Sequence, residues 1–197
     1  MTTVEPGAGP RERMVRSAMA LMCRQGVSGT GLREVVAHAE APRGSLQHYF
    51  PGGKEQLVRE ALALAGATAA RTVGRLADGP PFGAGDVLAA MVDAWRRWLA
   101  ETDFAQGCPV VATVADVAVD SGGLRTATAD AFAEWQARVE AALREAGVPA
   151  SRTPGLATLL ISALEGAIVL ARSRRTLQPL DDVQRELTPL VEGAVQP

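Results

Sequence analysis

The feature that most constrains this sequence is residues 26–57, which read as two short helices joined by a tight turn. Three aliphatic residues recur at helical spacing in the first of them, namely Leu32, Val35 and Val36. Pro42 interrupts that pattern, and because proline is tolerated in the first turn of a helix, a second helix is predicted over residues 43–50. A short polar helix after a tight turn is typical of a recognition helix in a DNA major groove.

Polar side chains crowd this second helix and supply the candidate DNA contacts. Arginine pairs with the O6 and N7 edge of guanine, and glutamine pairs with the N6 and N7 edge of adenine. The candidates for base contacts are Arg43, Ser45, Gln47 and His48. Residues near the flanking helix starts are better placed for phosphates, and these are Thr30, Arg33, Tyr49 and Lys54. Thr30 is also expected to cap the first of the two helices.

This region resembles the N-terminal pattern of the tetracycline-repressor (TetR) family of bacterial regulators. The matching positions are Thr30, residues 33–36, Ala39, residues 44–46, Phe50 and residues 54–57. The resemblance implies that Gly44 belongs to the DNA-contacting set. The sequence departs from the family pattern at three positions: Gln47 replaces a common tyrosine, Pro42 a common serine, and Glu40 the usual glycine of the turn. Glu40 is therefore expected to strain the turn.

Two further segments are similar to one subgroup of that family, the LmrA/YxaF-like proteins, which include regulators of multidrug exporters. Residues 51–54 place a lysine one position later than the usual Phe-x-x-Lys spacing. Residues 107–110, Gly-Cys-Pro-Val, also resemble this subgroup. The first similarity is part of a longer match, whereas the second is a short motif by itself.

The remainder of the chain is predicted to be helical, with the hydrophobic content of 47% in 197 residues filling a sizeable core. Aromatic residues are scarce at 4%, and frequent alanine and leucine favour packed helices. Glycine and proline breaks delimit about nine helices, among them residues 11–25, 54–76, 86–101, 124–146 and 153–174. Asp86 is expected to cap one of them. Residues 110–119 also read as a buried strand, but no partner strand is visible elsewhere.

The predicted fold is therefore all-α, in three parts. Residues 1–10 form an N-terminal arm, and residues 11–54 form a three-helix, helix-turn-helix DNA-binding domain. Residues 55–197 form a helical domain, to which the resemblance assigns ligand binding and dimerisation. Charge agrees with this division, because residues 11–78 carry a net charge of +4 and residues 79–197 carry −5. A basic first part suits double-stranded DNA, and an acidic second part avoids it.

The sequence gives no indication of an enzyme. Both histidines lie in the N-terminal third, and no acid, base or nucleophile cluster appears in the second part. The glycine pair at residues 52–53 lacks the spacing of a phosphate-binding loop, and Cys23 and Cys108 have no metal-ligand spacing. We therefore expect no catalytic residues, no metal and no cofactor. The alternative class is a helical small-molecule-binding or adaptor protein without DNA binding. Such a protein would not need so many polar side chains close together at residues 43–48.

No membrane association is expected. The N-terminal residues lack the basic start and apolar run of a signal peptide. The longest apolar stretch, residues 156–171, contains Glu165 and falls short of the roughly 20 residues that span a bilayer. The sequence therefore predicts a cytoplasmic protein.

Aromatic residues in the second part are candidates for a ligand site, although aromatic residues at helical spacing usually just pack in a core. The resemblance implies a cavity there for an inducing small molecule, and flat apolar walls suit a hydrophobic or aromatic compound. The candidate lining residues are Trp95, Trp98, Phe104, Cys108, Val111, Phe132 and Trp135. Glu101, Asp103 and Asp116 are candidate counter-charges for a cationic ligand.

The apolar character of residues 156–171 extends around nearly the whole helix, so the helix is expected to be covered on both sides. A second copy of the chain is the simplest second cover, and the resemblance implies a homodimer built from the last two helices of each copy. The candidate interface residues are Leu156, Leu160, Leu164, Ile168, Leu187, Leu190 and Val191. The resulting two-fold symmetry predicts a palindromic operator. The resemblance implies that the protein is a repressor, which a small molecule releases from this operator.

Overall fold

The computed structural model of the protein describes residues 9–42, 44–116 and 121–195. All regular secondary structure in these ranges is helical, which confirms the predicted fold class. The helices are α1 (Pro10–Gly29), α2 (Leu32–His38), α3 (Ser45–Tyr49), α4 (Gly53–Gly74), α5 (Ala84–Glu101), α6 (Pro109–Asp116), α7 (Gly122–Glu145), α8 (Thr153–Arg174) and α9 (Gln178–Glu192). A 3-10 turn, Arg75–Asp78, follows α4.

Helix α1 is interrupted at Gly26, the residue that the sequence predicts as its end. Gly26 has a φ of 70°, a conformation that glycine adopts without the steric cost of a Cβ. Helical hydrogen bonding resumes beyond this kink, so α1 continues to Gly29. The predicted inner face is confirmed, since Val15, Ala18, Met19 and Met22 are all buried.

Thr30 lies just before α2 but does not cap it, contrary to the sequence-based expectation. The residue at the N-cap position is Gly31, and no side chain bonds to the start of the helix. The Thr30 hydroxyl donates instead to the carbonyl of Gly26 at 2.6 Å, and its backbone N–H donates to the carbonyl of Val27. Thr30 is buried and closes the bend between α1 and α2, so its side chain does not lie on the surface where the expected phosphate contact would form.

Helix α3 is shorter than predicted and begins at Ser45. The backbone N–H and the hydroxyl of Ser45 both donate to the carbonyl of Pro42, at 2.9 and 2.7 Å. Pro42 therefore precedes the helix instead of lying in its first turn. Leu46 packs against the core from within the helix, and Phe50 is fully buried directly after it. These two apolar residues fix which side of α3 faces outward.

Local signals place α5 and α6 nearly as predicted. Asp86 is the third residue of α5 instead of its cap, and its carboxylate accepts a hydrogen bond from the backbone N–H of Gly83 at 2.8 Å. Helix α6 shows that residues 110–116 are helical and not a strand. The last residues of that predicted segment, 117–119, lie outside the described residues.

The chain divides into two compact units. The first unit comprises residues 1–66 and 108–132, and the second comprises residues 67–107 and 133–197. In the first unit α1 packs against α2 and α6, and in the second α9 packs against α5 and α8. The domain boundary predicted after residue 54 lies inside α4, and the first unit includes residues 108–132, which that prediction assigns to the C-terminal domain.

Helix α8 is 22 residues long, longer than the 16-residue apolar stretch read from the sequence. Its length and composition are sufficient for a membrane span, but half of its most apolar window is buried inside the protein. The core helix of a soluble protein has the same properties. Its packing against α5 and α9 in the second unit accounts for its apolar composition.

Candidate functional site

Helix α3 presents a small polar surface. Gln47 and His48 are exposed on it, and Gly44, directly before the helix, is exposed with nothing within 4 Å of where its Cβ would lie. The Ser45 hydroxyl is partly exposed but already donates to a carbonyl of the preceding turn. Arg43, the fourth candidate for base contacts, lies outside the described residues. The described surface of α3 therefore offers one amide and one imidazole to a partner.

Tyr49 connects this surface to the core of the first unit. Its ring contacts that of His48 edge-on, with centroids 4.8 Å apart and planes at 71°. Tyr49 is also half-buried against the core, so it supports the His48 ring from behind.

Arg33 is exposed on α2 and Lys54 is partly exposed in the first turn of α4. Both cations are thus on the helices that flank α3 in the chain, and their phosphate contacts stay a prediction.

The turn between α2 and α3 is strained, as the glutamate at this position predicts. Glu40 has a φ of 48°, in the left-handed region that favours glycine. Arg13 of α1 supports the turn, because its Nε donates to the carbonyl of Ala39 at 2.9 Å and its Nη2 to the carbonyl of Glu40 at 3.3 Å. A cation at the carbonyl end of a helix is also favourable electrostatically. The role of Arg13 was not predicted, since nothing in the local sequence links this residue to residues 39–40.

Arg11 ties three elements of the first unit together. Its guanidinium pairs with the carboxylate of Glu60 at 2.6 Å and lies 5.4 Å from the centroid of the Phe50 ring. It thereby connects α1, the end of α3 and α4. Exposed ion pairs contribute little stability, so its effect is to orient these elements more than to hold them. This contact was not predicted, because the paired residues are 49 positions apart in the sequence.

Asp116, at the end of α6, binds the bend that leads into α2. Its two carboxylate oxygens accept hydrogen bonds from the backbone N–H and the hydroxyl of Ser28, at 2.6 and 2.7 Å. The hydrogen bond from the Ser28 N–H is the largest cause that lowers the pKa of Asp116 below its usual value, and the bond from the Ser28 hydroxyl is the second largest. The positive charge of Lys54 lowers this pKa further. Asp116 therefore serves the first unit and is not available as a counter-charge in the second.

The seven candidate ligand residues fall into different units. Trp95, Trp98, Phe104 and Trp135 belong to the second unit, whereas Cys108, Val111 and Phe132 belong to the first. Trp135 is buried, and the other three of the second unit are half-buried. The structure therefore does not bring all seven together within one compact unit.

The two cysteines, 85 residues apart in the sequence, share one core. Cys23 is buried in the hydrophobic cluster of the first unit, and Cys108 packs against the same cluster. Their common location was not predicted from the sequence, in which they lie 85 positions apart.

Residues 103–105 of the second unit are held by two arginines from the end of α8. Asp103 and Phe104 both have left-handed backbone angles, with φ of 48° and 59°. Arg172 donates to the carbonyls of Phe104 and Ala105, at 3.4 and 3.1 Å. Arg175 pairs with the Asp103 carboxylate at 2.6 Å and lies 5.9 Å from the Phe104 ring centroid. Two consecutive strained residues are thus fixed by side chains from a distant part of the sequence.

Comparison with known proteins agrees with this arrangement. The family profile described as "Bacterial regulatory proteins, tetR family" matches residues 15–61, and "Transcriptional regulator LmrA/YxaF-like, C-terminal domain" matches residues 84–186. An uncharacterized HTH-type transcriptional regulator of Mycobacterium tuberculosis is 40% identical over 188 residues, covering 93% of this chain and 94% of that protein. The HTH-type transcriptional regulator LmrA of Bacillus subtilis is 31% identical, covering 86% of this chain and 90% of that protein. The chain belongs to the TetR family.

Solved structures show the same fold. The regulatory protein TetR from Rhodobacter sphaeroides superposes with a TM-score of 0.80 at 22% identity, covering 91% of this chain and 97% of that one. In this TetR-family protein, α2 and α3 are the two helices of the helix-turn-helix. The protein is a DNA-binding transcriptional regulator and not an enzyme. Regulators of this family bind operator DNA, dimerise and bind small molecules, and membership implies a soluble cytoplasmic protein.

The predicted dimer face of this TetR-family protein requires correction. Four of its residues, Leu156, Leu160, Leu164 and Ile168, are between 0 and 6% exposed, and so is Val191 on α9. Side chains buried in their own chain are not free to contact a second copy. The reason for the error is that α8 is apolar around its circumference, so its sequence does not indicate which side faces inward.

The opposite side of α8 carries the exposed apolar surface. Leu159, Val169 and Leu170 are 40%, 53% and 45% exposed. Of the residues predicted on α9, Leu190 is 42% exposed and Leu187 is partly exposed. We call Leu159, Val169, Leu170 and Leu190 the outer apolar face of the second unit.

Proposed function

We propose that this protein is a repressor that binds a palindromic operator as a homodimer and is released from it by a small hydrophobic or aromatic molecule. The observation that carries the proposal is the surface of α3, where Gln47 and His48 project from a helix anchored by the buried Phe50. Glutamine and histidine hydrogen-bond to base edges, and a helix anchored on one side presents them at a fixed angle. Exposed Arg33 and partly exposed Lys54 supply the phosphate contacts that set its register.

Dimerisation gives the operator its symmetry. The four large apolar side chains of the outer apolar face are between 40% and 53% exposed, and a second copy of the chain is their proposed cover. Two copies related by a two-fold axis place their α3 helices in successive major grooves, about 34–36 Å apart. The operator is therefore an inverted repeat.

Release by ligand depends on the continuity of the chain between the units. Helix α4 begins beside Lys54 in the first unit and continues into the second at residue 67. A molecule bound by the second unit affects DNA binding if it favours a conformation in which the two α3 helices no longer match the groove spacing. Half-buried Trp95 and Trp98 supply apolar surface for such a molecule.

Selection from random duplex DNA with the full-length protein tests the proposal. We expect enrichment of an inverted repeat with half-sites about one helical turn apart. A pool without enrichment, or enrichment of single half-sites by a monomer, would show that the protein does not act as a dimeric repressor. The comparisons give no support to an adaptor without DNA binding, and that class predicts no enrichment at all.

A further inference from the structure

Trp135 of the second unit has a buried hydrogen-bond donor for which the described residues supply no acceptor. The side chain is 6% exposed, and its indole Nε1 is inaccessible and has no hydrogen-bonding partner among the described residues. An indole nitrogen only donates, and a buried tryptophan usually directs that N–H at an acceptor. A buried donor without an acceptor loses its hydrogen bonds to water with nothing to replace them, so its retention needs an explanation.

Gln106 of the same unit has a comparable feature, since its Oε1 is buried without a partner. The two groups differ in how firmly they are held. Gln106 is a partly exposed residue whose amide rotates about a long side chain, so it reaches other partners at little cost. The Trp135 ring is buried on α7, a helix of 24 residues, and its N–H has a single direction. Trp135 is therefore the better indicator of what the site recognises.

We propose that the indole N–H of Trp135 donates a hydrogen bond to the small molecule that this regulator binds. The part of the molecule that faces Trp135 then carries a hydrogen-bond acceptor, such as a ring nitrogen or a carbonyl oxygen, and no donor. The rest of the molecule is flat and apolar. This inference rests on the proposed ligand response and adds the chemical class of the ligand. It distinguishes acceptor-bearing aromatics from plain aromatic hydrocarbons, which apolar packing alone does not separate.

Quinoline and naphthalene are a matched pair of probes for this purpose, because they have the same shape and only quinoline has an acceptor. Full-length protein labelled with ¹⁵N at the indole nitrogens gives one N–H resonance for each of its three tryptophans. Trp95→Phe and Trp98→Phe identify the Trp135 resonance without altering Trp135. Titration with each probe then reports affinity and the position of the Trp135 N–H proton in the same spectra.

We expect quinoline to bind wild-type protein about tenfold more tightly than naphthalene and to shift the Trp135 proton downfield. Trp135→Phe keeps an aromatic ring without the N–H, and it should bring the two affinities within about twofold. Equal affinities in the wild type, an unshifted Trp135 resonance at saturation, or no binding of either probe would overturn the assignment. DNA selection on the same preparation without probe separates this failure from failure of the proposed repressor: an enriched palindrome alongside equal probe affinities rejects only the role of Trp135.

Discussion

The guanidinium of Arg172 lies against the α-carbon of Gly107, in the space that a side chain at residue 107 would occupy. Gly107 is buried, and it opens the Gly-Cys-Pro-Val segment that resembles the LmrA/YxaF-like subgroup. A glycine is needed at residue 107 because Arg172 approaches so closely. Backbone conformation is not the reason, since the φ of Gly107 is not in the left-handed region. Through this approach Arg172 reaches the carbonyls of Phe104 and Ala105.

Gly107→Ala should destabilise the protein by about 1–2 kcal/mol, because the methyl group displaces Arg172 from the carbonyls it binds. Gly155→Ala is the matched control, since nothing lies within 4 Å of its Cβ, and it should be neutral or slightly stabilising. Urea denaturation measures both. In an Arg172→Ala background the cost of Gly107→Ala should largely disappear, and an unchanged cost would show that the two residues are not coupled.

Glu40→Gly should stabilise the first unit by about 1 kcal/mol, because it removes the steric cost of a side chain at φ 48°. Ala37→Gly is the control on the neighbouring helix, where the same replacement should destabilise by a similar amount. Thermal and urea unfolding measure the effect. A loss of stability in Glu40→Gly would mean that the glutamate side chain contributes more than its backbone costs.

Asp116→Asn should loosen the bend between α1 and α2. The charged carboxylate is the form that binds Ser28, and its lowered pKa means that the contact persists at pH values below the usual pKa of an aspartate. The contact should be lost only as the pH falls through the lowered pKa. We expect faster amide exchange at Ser28 in Asp116→Asn at neutral pH and no change in Asp130→Asn, an exposed control in the first unit. Equal exchange in the two variants would assign the protection to other contacts.

Gln47→Ala should relax base preference at one position of each half-site, because a bidentate amide contact discriminates by about 1–3 kcal/mol. Lys54→Ala should instead weaken binding to all sequences alike and reduce the salt dependence of affinity, as expected for a phosphate contact. Competition binding at two salt concentrations distinguishes the two effects. If Lys54→Ala altered the base preference while Gln47→Ala did not, the assigned roles would be reversed.

Val169→Glu should convert the dimer to a monomer and abolish operator binding without a change in the helix-turn-helix. A carboxylate placed in an apolar contact costs several kcal/mol. Val114→Glu is the matched control, because Val114 is exposed to a similar degree, 46% against 53%, but lies on α6 of the first unit. Sedimentation velocity should show monomers only for Val169→Glu. A dimeric Val169→Glu variant would place the interface elsewhere.

Local sequence signals predicted the helices well because glycine and proline act within a few residues. Gly26 interrupts α1 where expected, and α8 begins at Thr153, the start predicted for the helix over residues 153–174, although its N-cap residue is Arg152. The helix-turn-helix was predictable for the same reason. Thr30 was misassigned because its hydroxyl has two local options, and tertiary packing of the bend selects the bond to Gly26 over a helix cap.

Contacts between distant segments could not be predicted, since they leave no periodic signal. Arg13 reaches the turn after α2 across 26 residues, and Arg172 reaches Phe104 across 68. The inward side of α8 was equally undetermined, because a helix that is apolar all round has no hydrophobic direction. The candidate surface on α3 was predictable, whereas the residues that hold it in place were not.

The composition of the first unit bears on how regulators of this kind exchange parts during evolution. Helix α6 lies far along the chain from α1, yet the two pack together in one unit. A single recombination event between α3 and α5 would join the α1 of one parent to the α6 of another. The two helices that pack together in the core of the first unit would then come from different proteins. Productive exchange of the ligand-responsive part therefore requires crossovers on both sides of residues 108–132, or compensating changes where α6 meets α1.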